Sequence, residues 1–169
     1  FRGSEKNVAK RLIDCAKQNS ITTIVRITAD CPIIDPKLID DCIKFHLKKK
    51  CDYTTNTLKL SYPDGLDVEI IELKALIKSQ KISNNSLNKE HVTPYIRSSK
   101  KIFKRYNLKN NTDFSNRRWT LDNNKDYIFL KKVINFFSFN PNFFWKDLVK
   151  AEKKNKFLIN IKERTSEQN

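Results

Sequence analysis

Between Thr22 and Thr28 every residue except Arg26 is β-branched. Branching at Cβ restricts the first side-chain torsion, which suits a pleated strand and disfavours a helix. A run of this kind, without polar alternation, reads as a strand covered on both faces. A helical pattern precedes it. A loop from Ala29 to Asp35, interrupted by Pro32, follows it and leads into a second helical pattern. A buried strand set between two helices points to a layered α/β architecture.

The rest of the chain keeps the alternation. Ser4 can cap a first helix, with Val8, Leu12, Cys15 and Ala16 on one face and Asn19-Ser20 as its end. Asp35 and Pro36 are cap and first residue of a second helix. It carries Leu38, Ile39, Cys42, Ile43 and His46 at helical spacing and closes on Lys48, Lys49 and Lys50, favourably for its dipole. Tyr53–Thr57 reads as a short strand and Ser61–Gly65 as a turn. Leu66–Ile71 alternates apolar and acidic residues and reads as a strand with one wet face. Helices are predicted over about residues 72–82, 90–98, 124–138 and 143–154, and strands over 102–108 and 117–121. A polar loop is expected at Ser83 to Asn88. In the 124–138 helix, Tyr127, Leu130, Ile134 and Phe137 would share the apolar face.

The chain has 169 residues, a length that suits one core. One domain is expected over residues 1–160, with a frayed tail at 161–169. Lys+Arg number 34 against 19 Asp+Glu, a net charge of +15. That excess invites a phosphate-backbone partner. Its distribution argues otherwise: 26 Lys stand against 8 Arg, beside 18 Asn and 18 Ile, all residues favoured by A- and T-rich codons. The lysine pairs are scattered, as on a solvated face. No nucleic-acid partner is expected, and an RNA- or polyanion-binding domain is kept as the alternative. Two glycines exclude a P-loop and a G-x-G-x-x-G loop from this chain. Cys15, Cys31, Cys42 and Cys51 have no zinc spacing and suit a reducing cytoplasm. No apolar run reaches membrane length. The chain contains no methionine and begins Phe1-Arg2-Gly3-Ser4, from which a piece of a longer protein is expected.

In open α/β sheets ligands sit beyond the carboxyl ends of strands. That rule selects Asp30, after the first strand, and Asp122, after residues 117–121. A carboxylate on such a loop suits Mg²⁺, which takes one or two protein carboxylates plus phosphate and water oxygens. Asp30 can equally cap a turn before Pro32, and Asp122 can cap the helix after it. In the stretch from Tyr62 to Glu69 the alternating acids Asp64, Asp67 and Glu69 could recognise sugar hydroxyls or help bind a metal, or the stretch could form only a turn and a half-exposed strand. Glu90, His91 and Arg97 could meet on one helical face, where an Arg fork suits carboxylate or phosphate. Phe136, Phe137, Phe139, Phe143, Phe144 and Trp145 read as core or subunit contact.

Taken together and in order, five stretches resemble the cytidylyltransferase family, which includes spore-coat polysaccharide biosynthesis proteins, CMP-sialic acid synthetases and 3-deoxy-manno-octulosonate cytidylyltransferases. They are FRGSEKNVAKR (1–11), RITADCPIIDPKLID (26–40), YPDGLDVEI (62–70), EHVTPYIR (90–97) and RWTLDNNKDY (118–127). The resemblance implies a nucleotide-diphospho-sugar transferase-like α/β/α sandwich with a mixed sheet, lacking its first βα nucleotide-binding unit. It implies transfer of CMP from CTP to a hydroxyl of an acidic sugar, with release of pyrophosphate, for surface polysaccharide. Asp30 and Asp122 would be the catalytic Mg²⁺ ligands. Ser4 and Arg11 would lie near the nucleotide. Arg26, Tyr62, Asp64, Asp67, Glu69, His91 and Arg97 would bind substrate, most of them on the sugar side. Relatives of this type often dimerise, so a homodimer through residues 136–145 is a candidate. The chain departs from the family pattern at Ala29, commonly Gly, and at Asn123-Asn124-Lys125, commonly Thr-Pro-Glu. Relatives open with a strand and a Gly- and Arg-containing loop around the CTP phosphates, which implies that these residues alone turn over little. A GT-A-like glycosyltransferase using a ready-made nucleotide sugar is the remaining alternative.

Overall fold

The computed structural model describes residues 1–138, 140 and 143–161. The chain divides into two compact units. The first comprises residues 1–26, 41–58 and 68–108, and the second residues 27–40, 59–67 and 109 onward.

The first unit is built on a four-stranded sheet: β1 (Thr23–Arg26), β2 (Tyr53–Thr55), β3 (Glu69–Glu72) and β4 (Arg105–Asn107), in the order β1-β3-β2-β4. β3 is antiparallel to both neighbours, and β2 runs parallel to β4, so the sheet is mixed. Five helices lie in this unit wholly or in part: α1 (Val8–Gln18), α2 (Pro36–Lys49), α3 (Leu73–Ile82), α4 (Ser86–His91) and α5 (Pro94–Ser98). Register puts Ile24, Ile71 and Tyr53 in one row. They are buried with Ala9 and Ala16 of α1, Ala75 and Leu76 of α3, Ile96 of α5, Val92 and Phe103. On the opposite face α2 brings His46 to Thr54 and Phe45 edge-on to Tyr106. Helices therefore lie on both faces of the sheet, but the second face stays open at β1. Ile24 is buried while Val25 is 41% exposed, so the strand expected to be covered on both faces is covered on one, because β1 is the edge strand.

Several boundaries differ from expectation, each for a local reason. α1 is capped by Asn7, whose side chain accepts from the Lys10 amide; Ser4 instead accepts from the Asn7 amide, one turn earlier. The single helix expected over 90–98 is two helices. Pro94 brings no amide hydrogen and disfavours a helical residue before it. The chain breaks at Val92, which is fully buried and held at φ 71°. A β-branched residue there is strained by roughly 1–3 kcal/mol. α4 also starts inside the expected polar loop, because Asn85 caps it through the Asn88 amide. The wet face expected for Leu66–Ile71 is absent: β3 is the central partner of β1 and β2, and Glu69 is buried with Ile70 and Ile71.

The second unit holds the start of α2, then α6 (Asn124–Phe136), α7 (Trp145–Glu152) and a short 3-10 turn at Lys156–Leu158. Asp35 is buried and caps twice. Its Oδ1 accepts from the Leu38 amide at 3.1 Å and its Oδ2 from the Trp145 amide at 2.9 Å. The strand expected at 117–121 is reduced to isolated bridges, Asp64 with Arg118 and Arg117 with Ile161. In α6 the buried residues are Asp126, Phe129, Leu130 and Val133, whereas Tyr127 is exposed, so the apolar face is rotated from the expected one. The expected contact at Phe139 and the frayed tail beyond Ile161 lie outside the described residues. No helix among the described residues is long and apolar enough to cross a membrane.

Gly65 is at φ 98°, and a Cβ built on it would come within 2.6 Å of the Trp119 carbonyl carbon and oxygen. This turn carries Asp64 against the buried Trp119, whose amide donates to the Asp64 carbonyl at 2.8 Å. Gly65→Ala adds positive-φ strain to an overpacked backbone contact and is expected to cost about 2–4 kcal/mol. Urea unfolding of the variant measures it.

Candidate active site

In the first unit β3 carries the buried Glu69 carboxylate into a ring of donors. The Tyr53 hydroxyl donates to Oε1 at 2.5 Å and the Thr93 hydroxyl to the same oxygen at 2.7 Å. Arg26 donates through Nη1 to Oε2, and Arg97 Nη1 lies 3.7 Å from Oε1. Arg97 is held in turn by the Thr57 hydroxyl at 2.7 Å, the Thr57 carbonyl at 3.0 Å and the Tyr53 hydroxyl at 3.2 Å. Burial and the neighbouring carboxylate push the Tyr53 hydroxyl far above its ordinary pKa of 10, so it stays a donor. One carboxylate thus organises two guanidiniums that remain partly open to solvent, at 21% and 33% side-chain exposure. Such an arrangement offers net positive charge to an anionic group.

Register explains how these residues meet. Arg26 lies opposite Glu69 on β1, and Thr55 lies opposite it on β2. The break at Val92 then starts α5 where Thr93 and Arg97 reach the same carboxylate. Sequence reasoning found Arg26, Glu69 and Arg97 but missed Tyr53, Thr57 and Thr93. His91 is exposed at the end of α4 and does not share a helical face with Arg97. The side chain of Arg11 lies against Gly3, where an added Cβ would meet its Cγ at 3.0 Å.

In the second unit Leu121 donates its amide to the Asp30 carbonyl at 2.9 Å. This bond ties the loop bearing Asp30 to the segment bearing Asp122. The helix cap is Asn123, paired reciprocally with Asp126, so Asp122 is not the cap of α6. Its side chain is 50% exposed and takes Arg118 Nη2 at 2.6 Å. Arg118 forks onto Asp126 at 2.9 and 2.8 Å and lies 4.0 Å from Asp64. That fork and two backbone amides hold the Asp126 carboxyl below its ordinary range. The Asp30 carboxylate is half-buried, with the Cys31 thiol 3.7 Å from Oδ1. Burial pushes that thiol up to about 11, so it stays protonated. Tyr62 stacks edge-on against Trp145, and Asp67 lies beside Cys31.

The order of these motifs along the chain is that of one family. The model of the cytidylyltransferase family matches residues 1–163. This chain belongs to the cytidylyltransferase family. It is 33% identical over 159 residues to an uncharacterised protein of Methanocaldococcus jannaschii, covering 83% of this chain and 63% of the relative. It is 32% identical over 136 residues to the spore coat polysaccharide biosynthesis protein SpsF of Bacillus subtilis, covering 79% of this chain and 55% of that protein. The chain therefore spans rather more than half the length of these relatives. A solved cytidylyltransferase from Leptospira borgpetersenii serovar Hardjo-bovis superposes with a TM-score of 0.91 at 34% identity, over 98% of this chain and 70% of that one. The mixed α/β fold expected from the resemblance is the fold this chain shares with that solved structure.

No group of three or more His, Cys, Asp and Glu side chains among the described residues is arranged to hold a metal ion. A cytidylyltransferase site using Mg²⁺ does not require one, because nucleotide phosphates and water complete the shell. Asp30 and Asp122 are partly open carboxylates, oxygen donors of the type Mg²⁺ takes, on segments joined by the Leu121–Asp30 backbone bond.

Proposed function

We propose that this chain acts in transferring CMP from CTP to a hydroxyl of an acidic sugar, with release of pyrophosphate, in surface polysaccharide synthesis. The observation that carries this reading is the Leu121 amide bond to the Asp30 carbonyl, which ties together the two carboxylate-bearing loops of a cytidylyltransferase family member. The name of the Bacillus subtilis relative supports the polysaccharide setting. In this reading Asp30 and Asp122 hold Mg²⁺, which would supply charge neutralisation at the triphosphate. Within the first unit, Arg26 and Arg97, organised by Glu69, suit an anionic group of a substrate, and Ser4 and Arg11 are assigned to the nucleotide. Within the second, Tyr62, Asp64 and Asp67 are assigned to sugar hydroxyls. The acceptor oxygen bonds to the α-phosphorus, the bond to the β-phosphate oxygen breaks, pyrophosphate leaves, and the hydroxyl proton passes to solvent. No side chain forms a covalent intermediate. A cytoplasmic setting fits the four cysteines, all of which are free thiols.

Pyrophosphate release by the full-length protein tests the proposal, measured with CTP, UTP and GTP against a panel of acidic sugars, with and without Mg²⁺. Release that needs CTP, an acidic sugar and Mg²⁺ together is expected. Absence of nucleotide-dependent release, with salt-sensitive binding to RNA in its place, would overturn it.

A further inference from the structure

Asp126 has no role in the reading above, yet its carboxylate is heavily engaged. Its Oδ2 accepts from the backbone amides of Asp122 at 3.0 Å and Asn123 at 3.2 Å, and from Arg118 at 2.8 Å. Its Oδ1 takes the Arg118 Nε at 2.9 Å. Asp126 itself is buried, with 3% side-chain exposure, whereas Asp122 is half exposed. The buried acid therefore grips both ends of Asp122. It holds the backbone directly and the carboxylate through the bridging guanidinium. Arg118 takes only the Oδ2 of Asp122 in doing so.

We propose that Asp126 and Arg118 are positioning residues that fix the Asp122 carboxylate for a divalent cation. The proposal rests on the reading of Asp122 as a metal ligand. Two observations favour positioning over simple competition between the guanidinium and the cation. The Arg118 fork is committed to Asp126 through two nitrogens, so its place is set whether or not Asp122 is engaged. The Asp122 amide is tied to the same acid, so the main chain cannot turn the carboxylate away. An outer partner that orients a ligand in this way is worth about 10- to 100-fold in metal affinity.

Mn²⁺ serves as the probe, with the half-saturating concentration read from water-proton relaxation in the presence of CTP. Arg118→Lys keeps the charge but loses the fork, and Asp126→Asn loses the charge that holds it. Each is expected to raise half-saturating Mn²⁺ by about 10-fold or more. The neighbouring Arg117 pairs with Glu152 at 3.0 Å. Arg117→Gln, which breaks a comparable ion pair of the same unit, is expected to leave the Mn²⁺ value unchanged. Arg118→Lys and Asp126→Asn variants that melt cooperatively and keep the wild-type Mn²⁺ value would overturn the positioning role. Tighter Mn²⁺ binding in Arg118→Lys would overturn it in favour of competition. Failure of Asp122→Asn to alter Mn²⁺ binding would instead overturn the metal reading itself. Should both variants fail to fold, the unaltered protein decides. Mn²⁺ at Asp122 must broaden the Arg118 side-chain N–H resonances, and unbroadened signals at saturating Mn²⁺ would refute the proposal.

Discussion

Glu69→Ala is expected to destabilise the protein by about 3–5 kcal/mol, the usual cost of removing one partner from a buried ion pair. The carboxylate has 8% side-chain exposure and is the acceptor for Tyr53, Thr93 and Arg26. Its loss strands two hydroxyls and leaves Arg26 and Arg97 facing each other without the intervening charge. Each unpaired buried donor adds about 1–3 kcal/mol of desolvation, less where water can enter. The partial exposure of the two guanidiniums keeps the total near the lower end of the range. For a chain of this size each kcal/mol moves the midpoint by roughly 2–4 °C, so a fall of about 10 °C in Tm is expected. Calorimetry reads it directly. A midpoint within about 2 °C of wild type would show that Glu69 is not the keystone of the cluster.

Asp30→Asn and Asp122→Asn should behave in the opposite way, with little change in stability and a large change in turnover. Asp122 is half exposed, and its single resolved side-chain bond is to a guanidinium already held by Asp126. Surface substitutions of that kind usually stay within about 0.5 kcal/mol. A metal ion supplies several kcal/mol of charge stabilisation to a developing transition state. A neutral amide cannot hold that ion as a carboxylate does, so CMP transfer is expected to fall by about 100-fold or more in each variant. The decisive measurement is the rate of pyrophosphate release by the full-length protein at saturating CTP and acceptor, beside urea unfolding of the same samples. Near wild-type rates in either well-folded variant would remove that residue from the metal site.

These two clusters were legible in the sequence to different depths. The loop after the β-branched run pointed to Asp30, because strand, loop and capped helix are local features read over a dozen residues. The reading of Asp35 and Pro36 as cap and first turn needed no more than that. Glu69 was selected as an acid on a strand with a wet face, and the structure buries it. Alternation reveals which residues share a face, but only the neighbours of the strand decide whether that face meets water. Tyr53, Thr57 and Thr93 escaped notice because a hydroxyl on a strand or beside a proline carries no pattern of its own. The trio of buried His46 and Thr54 with half-buried Glu72 also carries no local pattern. His46 sits at a core position of α2, and its partners come from two strands, with Nδ1 3.0 Å from Thr54 Oγ1 and Nε2 3.1 Å from Glu72 Oε1. The apolar face of α6 departs from the hydrophobic pattern because Asp126 is buried by its pairing with Arg118, which turns Tyr127 to solvent.

By itself the sequence determined the alternation of helices and strands, the capping at Asp35, the turn at Gly65 and the motif order that marks the family. All of these rest on interactions within a few residues, where propensity and periodicity act. The tertiary structure alone decided the strand order β1-β3-β2-β4, the burial of Glu69 and the partner of each arginine. Arg26 and Glu69 are 43 positions apart. The β1–β3 register sets that pairing, and no local rule specifies which carboxylate a guanidinium meets once the chain has folded.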